Sequence, residues 1–227
     1  MAGAGKKTFT AGDVLTASDV NTYLMEQSVM VFGGTAARSS AIPTPSEGMT
    51  SYRTDSQQIE SYDGANWIGM SGLQLVKKQT IGSAVSSVVV TGAFSATYDS
   101  YKIVISGGVC SGSPNLGLKL GASAASYLNS LFLITYSTAA TGASAEAAGT
   151  SITWAGTGST NSINMNIDLT NPFLAKVTPY FGQFQGGSQA GYTSGIHNVA
   201  TSYTDFTITP STGTLTGGTI YVYGRAT

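Results

Sequence analysis

The chain has 227 residues, enough for one sizeable domain and an appendage. Asp, Glu, Lys and Arg together make up 9% of it, against about 25% in an average globular protein, and its net charge is −1. That balance leaves no Lys/Arg cluster to grip a nucleic-acid backbone; the close basic pairs Lys6-Lys7 and Lys77-Lys78 read as solvated surface.

The single cysteine, Cys110, excludes an internal disulfide framework and a multi-thiolate metal site. It follows an apolar strand and reads as a small buried thiol. Hydrophobic residues make up 41% of the chain and alternate in short runs, so the Gly-, Ser- and Thr-rich composition reads as β-structure rather than disorder. No run approaches the ~20 apolar residues of a membrane span. The N-terminus MAGAGKKTFTAGDV lacks the apolar core of a secretory signal. The expectation is a chain made in a cytoplasm and not inserted in a membrane.

In chain order, residues 1–12 form a small, polar arm. Thr16-Ala17-Ser18-Asp19 opens a helix that Thr16 or Ser18 can cap, with Asp19 at the positive end of the dipole. Val20, Tyr23, Leu24, Gln27, Met30 and Val31 follow a three–four spacing. That spacing predicts a helix of roughly four turns ending near Gly33-Gly34. Such a helix is marginal alone, so its apolar stripe needs a partner. The partner is either its own hairpin or the same helix of other chains around a symmetry axis. On the second alternative Val20, Tyr23, Leu24, Gln27 and Val31 are the oligomerisation candidates. Residues 35–40 read as a linker.

Residues 42–67, IPTPSEGMTSYRTDSQQIESYDGANW, form a β-hairpin. Pro43 and Pro45 exclude a helix at its start. MTSYR and QIESY are extended, TDSQ turns between them, and Asp63-Gly64 makes a second turn capped by the Asp63 side chain. Trp67 folds back over the pair. A unit this small needs a neighbour to be stable.

Beyond Gly69-Met70-Ser71-Gly72 the texture changes. Extended runs occur at 73–80, 86–91, 101–106, 116–120, 131–136, 152–154, 163–169, 177–184, 206–209 and 219–224. Ile163, Met165, Ile167 and Leu169 alternating with Asn164, Asn166 and Asp168 is the clearest half-buried strand. Residues 139–149 are low in complexity and read as a loop. Many short strands without helices between them indicate a sandwich or jelly-roll-like domain. The expected organisation is mainly β. An arm and helix at 1–40 serve attachment and oligomerisation, a hairpin module fills 41–72, and a β-sandwich domain fills 73–227.

Constellations for chemistry are sparse. His197 is the only histidine, and no G-x-S-x-G nucleophile elbow, D-x-D-x-D-G calcium loop or glycosidase carboxylate couple stands out. The expectation is a protein that is not an enzyme, with no catalytic residue, no cofactor and no metal. Aromatic residues remain. Tyr180, Phe181, Phe184, Tyr192 and Tyr203, with His197, lie among Gly, Gln, Ser and Asn. That mixture resembles a paratope, and a sugar can stack on such rings. Tyr180, Tyr192, His197 and Tyr203 are the receptor-contact candidates. The competing reading places these rings, with Trp154 and Tyr127, in the core or a subunit interface.

Two stretches resemble bacteriophage tail-fibre and minor tail proteins. FTAGDVLTASDVNTYLMEQSVMVF, then Arg38, then IPTPSEGMTSYRTDSQQIESYDGANW is similar to the N-terminal module of phage minor tail proteins. There a capped helix precedes a P-x-EGM hairpin ending in YDG-x-x-W. FSATYDSYKIVIS (94–106) and GGTIYVYGR (217–225) resemble the first and last strands of β-domains at the receptor-facing ends of phage fibres. The resemblance implies a virion protein, a homotrimer, whose N-terminal module contacts other virion proteins. Its β-domain would face outward to a host-surface glycan or protein. The same modules could serve as a capsid decoration or head fibre without a receptor.

Overall fold

The structure is a computed structural model and describes residues 7–8, 10–25, 28–70, 72–186 and 188–225. Its elements begin with α1 (Ala17–Asp19), which runs into a π-helical turn at Val20–Met25. Then come β1 (Val29–Phe32), α2 (Thr35–Ala41), β2 (Thr50–Arg53), β3 (Gln58–Tyr62) and β4 (Trp67–Gly69). After β5 (Leu73–Thr80) follow β6 (Val88–Val90), β7 (Ser100–Ser106), β8 (Val109–Cys110), β9 (Asn115–Leu120), β10 (Tyr127–Thr135) and β11 (Thr141–Gly149). The chain continues with β12 (Ile152–Gly158), β13 (Ile163–Thr170), β14 (Thr178–Gln185) and β15 (Gln189–His197). It closes with β16 (Phe206–Pro210), β17 (Leu215–Thr216) and β18 (Thr219–Arg225). These divide into two compact units, Met1–Gln74 and Leu75–Arg225.

In the first unit Thr16 caps α1 reciprocally. Its Oγ1 accepts from the Asp19 N–H at 3.1 Å, and the Asp19 carboxylate accepts from the Thr16 N–H at 3.2 Å. The helix does not reach Gly33-Gly34 as the spacing predicts. It ends at Met25, and β1 pairs in parallel with β2, Val31 opposite Tyr52. Four residues of the type Val-Met-Val-Phe suit a strand as well as a helix, and the open edge of β2 decides the matter by offering backbone partners.

The hairpin forms as read, in the sheet order β1-β2-β3-β4, with the Trp67 and Tyr62 rings 5.5 Å apart. Asp63 Oδ1 accepts from the N–H groups of Ala65 and Asn66 at 2.8 and 2.6 Å.

Residues 35–40 are helical rather than a linker, because α2 turns Arg38 inward. Arg38 pairs with the buried Glu60, and its guanidinium lies 4.6 Å above the Trp67 ring. Arg53 joins Glu60 at 3.0 Å and Asp55 at 3.0 Å. An ionic network thus occupies the place of an apolar core, which is why no apolar periodicity announces α2. On the other face of the sheet Val29, Val31 and Ile59 stand 55%, 65% and 46% exposed.

The second unit is mainly β, as expected, and sandwich-like. Its twelve-stranded ladder folds over at β13. One layer runs β5-β18-β7-β13-β14-β15-β10-β11 and the other β6-β16-β9-β12. The first residues of β13 join them by pairing Ile163 with Gly158 and Met165 with Gly156 of β12. Alternation along the strands sends Ile103, Ile105, Ile167, Leu169 and Val222 from one layer against Leu116, Leu118, Leu120, Phe206 and Ile208 from the other, all buried. The Cys110 thiol is buried at the edge of this core, and burial pushes its pKa up.

Besides the two-residue β8 and β17, two long strands of this unit differ from the reading of the sequence. The low-complexity stretch expected as a loop at 139–149 contains β11, which pairs along β10 from Ile134–Thr141 to Tyr127–Gly149. Its residues are almost all exposed, so pairing alone makes it a strand. The second is β15, the strand between β14 and β10. Its inward positions include Gly191 and Gly195, which hide the alternation. A Cβ at Gly195 would collide with the Leu128 carbonyl and the Tyr180 ring, and one at Gly191 with the Phe132 carbonyl and Phe184. The glycines leave room for large rings of the neighbouring strand to lie across β15.

Candidate functional site

The residues singled out as receptor contacts separate into two groups. Tyr180, His197 and Tyr203 are buried, while Tyr192 is 43% exposed. The buried rings are tied by hydrogen bonds. His197 Nε2 lies 2.7 Å from the Tyr203 hydroxyl, and its ring stacks on Tyr127 at 4.2 Å. The Tyr127 hydroxyl accepts from the Leu120 N–H at 2.8 Å and donates to the Ser123 carbonyl at 3.2 Å; burial pushes its pKa up to about 12. Tyr180 donates to Asn129 Oδ1 and lies 2.9 Å from the Leu128 carbonyl, and burial raises its pKa too. Tyr192 stands on the outer face of β15 between Phe132 at 5.5 Å and Phe181 at 5.9 Å, both exposed.

Burial holds the His197 pKa below its ordinary 6.5, and the Ser126 backbone opposes this only in part. The unfolded chain therefore takes up a proton where the native protein does not. Its contribution is complete above pH 6.5 and is lost as pH falls toward the depressed native value. Denaturation midpoints should fall between about pH 7 and about pH 5, and His197→Gln should flatten that slope. Asp13, Asp19, Asp55 and Asp63, held below the usual 3.8 by hydrogen bonds, act only in a more acidic window.

Another aromatic residue occupies a more unusual position. Trp154 lies within β12 at a backbone φ of +57°, where a bulky side chain is strained by about 1–3 kcal/mol. The other described non-glycine residues with positive φ (Gln57, Ala84, Ser126, Ala139 and Asn171) lie in turns and loops. The pairing of β12 with β9 slips between Ile152 and Gly156, so Trp154 sits on a bulge.

Side chains from the facing layer hold that bulge. Asn129 Oδ1 accepts from the Thr153 N–H at 3.2 Å, and Asn129 Nδ2 donates to the Ser151 carbonyl at 3.0 Å and to Glu146 at 2.9 Å. Thr193 Oγ1 donates to the Thr153 carbonyl at 3.2 Å; past the bulge, Thr157 Oγ1 of β12 itself donates across to the Gln185 carbonyl at 3.2 Å. Beneath, the Phe184 ring supports Trp154 at 5.0 Å.

Trp154 and Asn115 form a shared wall between two recesses of about 230 and 400 Å³. Lys119, Ser151, Thr153 and Thr209 line the smaller, and Ser113, Thr157, Ser188 and Gln189 the larger. The lining is an aromatic surface with amides and hydroxyls, and Lys119 carries its only formal charge among the described residues. Such an arrangement can bind a polar ligand with an apolar face; among the described residues no carboxylate or imidazole lines it. In the sequence, the signal was a tryptophan amid Gly, Ser and Thr, which does not by itself distinguish a surface ring from a core one.

The oligomerisation candidates do not form one helical stripe. Val20, Tyr23 and Leu24 lie on the π-helical turn, Leu24 being exposed, and Val31 points outward from β1; Gln27 lies outside the described residues. Among the described residues no group of three or more His, Cys, Asp and Glu side chains is placed to hold a metal ion. No helix among them is long and apolar enough to cross a membrane. Comparison with known proteins finds no matching family model, no matching curated protein and no matching solved structure.

Proposed function

We propose that this chain is a structural protein of a bacteriophage virion, of the tail-fibre or minor tail type, that attaches to the host surface as a homotrimer. The observation that carries the reading is the uncovered aliphatic face of the first unit, where Val29, Val31 and Ile59 stand exposed on a four-stranded sheet. A sheet this small that leaves apolar residues in water gains by meeting other copies or a virion partner. The likeness of its hairpin and capped helix to phage minor tail modules points the same way. The sandwich unit, poor in charge and carrying exposed rings, suits repeated weak contacts that multivalency strengthens.

Light scattering of the purified protein should give about three times 23.2 kDa. Val31→Glu, at an exposed position, should shift it to monomer without changing its circular dichroism. The wild-type protein should adsorb to host cells, with surface polysaccharide as competitor. A monomeric wild type removes the assembly part of the reading. Immunolabelling of capsid facets instead of the tail, without adsorption, replaces it with a capsid decoration.

A further inference from the structure

We infer that the groove divided by Trp154 binds an acidic oligosaccharide, one sugar on each side of the indole. This deepens the attachment reading and rests on it. Three independent features converge on the groove. The first is strain: a tryptophan in left-handed backbone conformation persists only because its surroundings over-determine it, and such residues gather at ligand sites. Asn129 and Thr193 hold both backbone groups of Thr153, the residue before it, from the opposite layer. The second is shape: recesses of about 230 and 400 Å³ share Trp154 and Asn115, and together they match the ~300–1,000 Å³ of ligand sites.

The third feature is chemistry. Sugars present an apolar ring face with hydroxyls around its rim. An indole supplies the stacking surface, and Asn115, in the wall it shares with the indole, and Gln189, in the larger recess, supply paired donors and acceptors for hydroxyls. Lys119 adds one positive charge to a lining without carboxylates, which favours a uronate or a phosphate-bearing sugar over a neutral one. A peptide is less well matched, because beyond the indole the lining side chains are mainly hydroxyls and amides, with Pro114 and Pro210 the other apolar ones.

The test is binding of the full-length protein to immobilised oligosaccharides of two to six units, neutral, uronate-bearing and phosphate-bearing, with host-cell adsorption measured in parallel. Acidic oligosaccharides should bind and neutral ones at least tenfold less. Trp154→Gly removes the ring at a position whose backbone favours glycine, so the variant should keep its circular dichroism and lose binding at least tenfold. Trp154→Phe should retain most of it, and Lys119→Met should erase the preference for acidic sugars. No binding at millimolar sugar, a preference for neutral sugars, or binding indifferent to Trp154→Gly overturns the inference. Adsorption of wild type that survives Trp154→Gly overturns it while leaving the attachment reading standing; absence of wild-type adsorption removes that reading itself.

Discussion

Glu60→Ala should unfold the first unit and leave the sandwich unit folded. Glu60 is 4% exposed and is the one carboxylate that both Arg38 and Arg53 reach. Removing one member of a buried ionic group leaves the others charged and unpaired, at a cost of about 3–5 kcal/mol. Arg53 retains Asp55, but Arg38 has no other carboxylate partner among the described residues. A sheet of four short strands has little else to offset that loss. Scanning calorimetry of the full chain should show two transitions in the wild type and one in the variant. The double variant Arg38→Met, Glu60→Leu should recover much of the lost stability, since apolar replacement of a whole buried pair is often nearly neutral. Should Glu60→Ala melt within about 1 kcal/mol of wild type, the ionic core is not what holds this unit together.

Asn129→Leu should be the most damaging single change in the sandwich unit that keeps the side chain's number and branching of heavy atoms. Asn129 is 6% exposed and bonds to Thr153 N–H, Ser151 carbonyl, Glu146 and Tyr180 hydroxyl. Leucine satisfies none of these groups. Leaving buried donors and acceptors unpaired costs about 1–3 kcal/mol each, so a loss of about 3 kcal/mol or more is expected. Tyr180→Phe, which removes only one of the bonds, should cost about 0.5–1.5 kcal/mol. Hydrogen exchange provides the local readout: the Thr153 amide, protected in wild type by Asn129, should exchange much faster in Asn129→Leu under conditions where core β13 amides do not. Equal protection of Thr153 in both proteins would mean that the bulge beneath Trp154 does not depend on this clamp.

Such a clamp is invisible in the sequence because its members come from β10, β12, β14 and β15. Sequence separation between Asn129 and Thr153 is 24 residues, and no local pattern links them. The same holds for the buried candidates Tyr180, His197 and Tyr203. Their neighbours in sequence are polar and small, which suggests a surface. Yet strand alternation sends Tyr180 and His197 inward, and the glycines of β15 open the space that Tyr180 fills. Tyr192 is one residue out of phase with those inward positions and is therefore the ring that faces water.

What the amino-acid sequence by itself determined was local. The hairpin at 42–67, the reciprocal cap at Thr16 and Asp19, and the alternating strands at 101–106, 116–120 and 163–169 follow from side-chain preference and period, which act within a few residues. Tertiary structure alone decided that Val29–Phe32 is a strand, that 35–41 is a helix around a buried arginine, that an exposed Gly- and Ala-rich stretch pairs as β11, and that Trp154 stands on a bulge between two recesses. Each of those outcomes depends on a backbone edge or a buried charge supplied from elsewhere in the chain. A residue's own chemistry limits the states it can adopt, and the partner that arrives through folding selects among them.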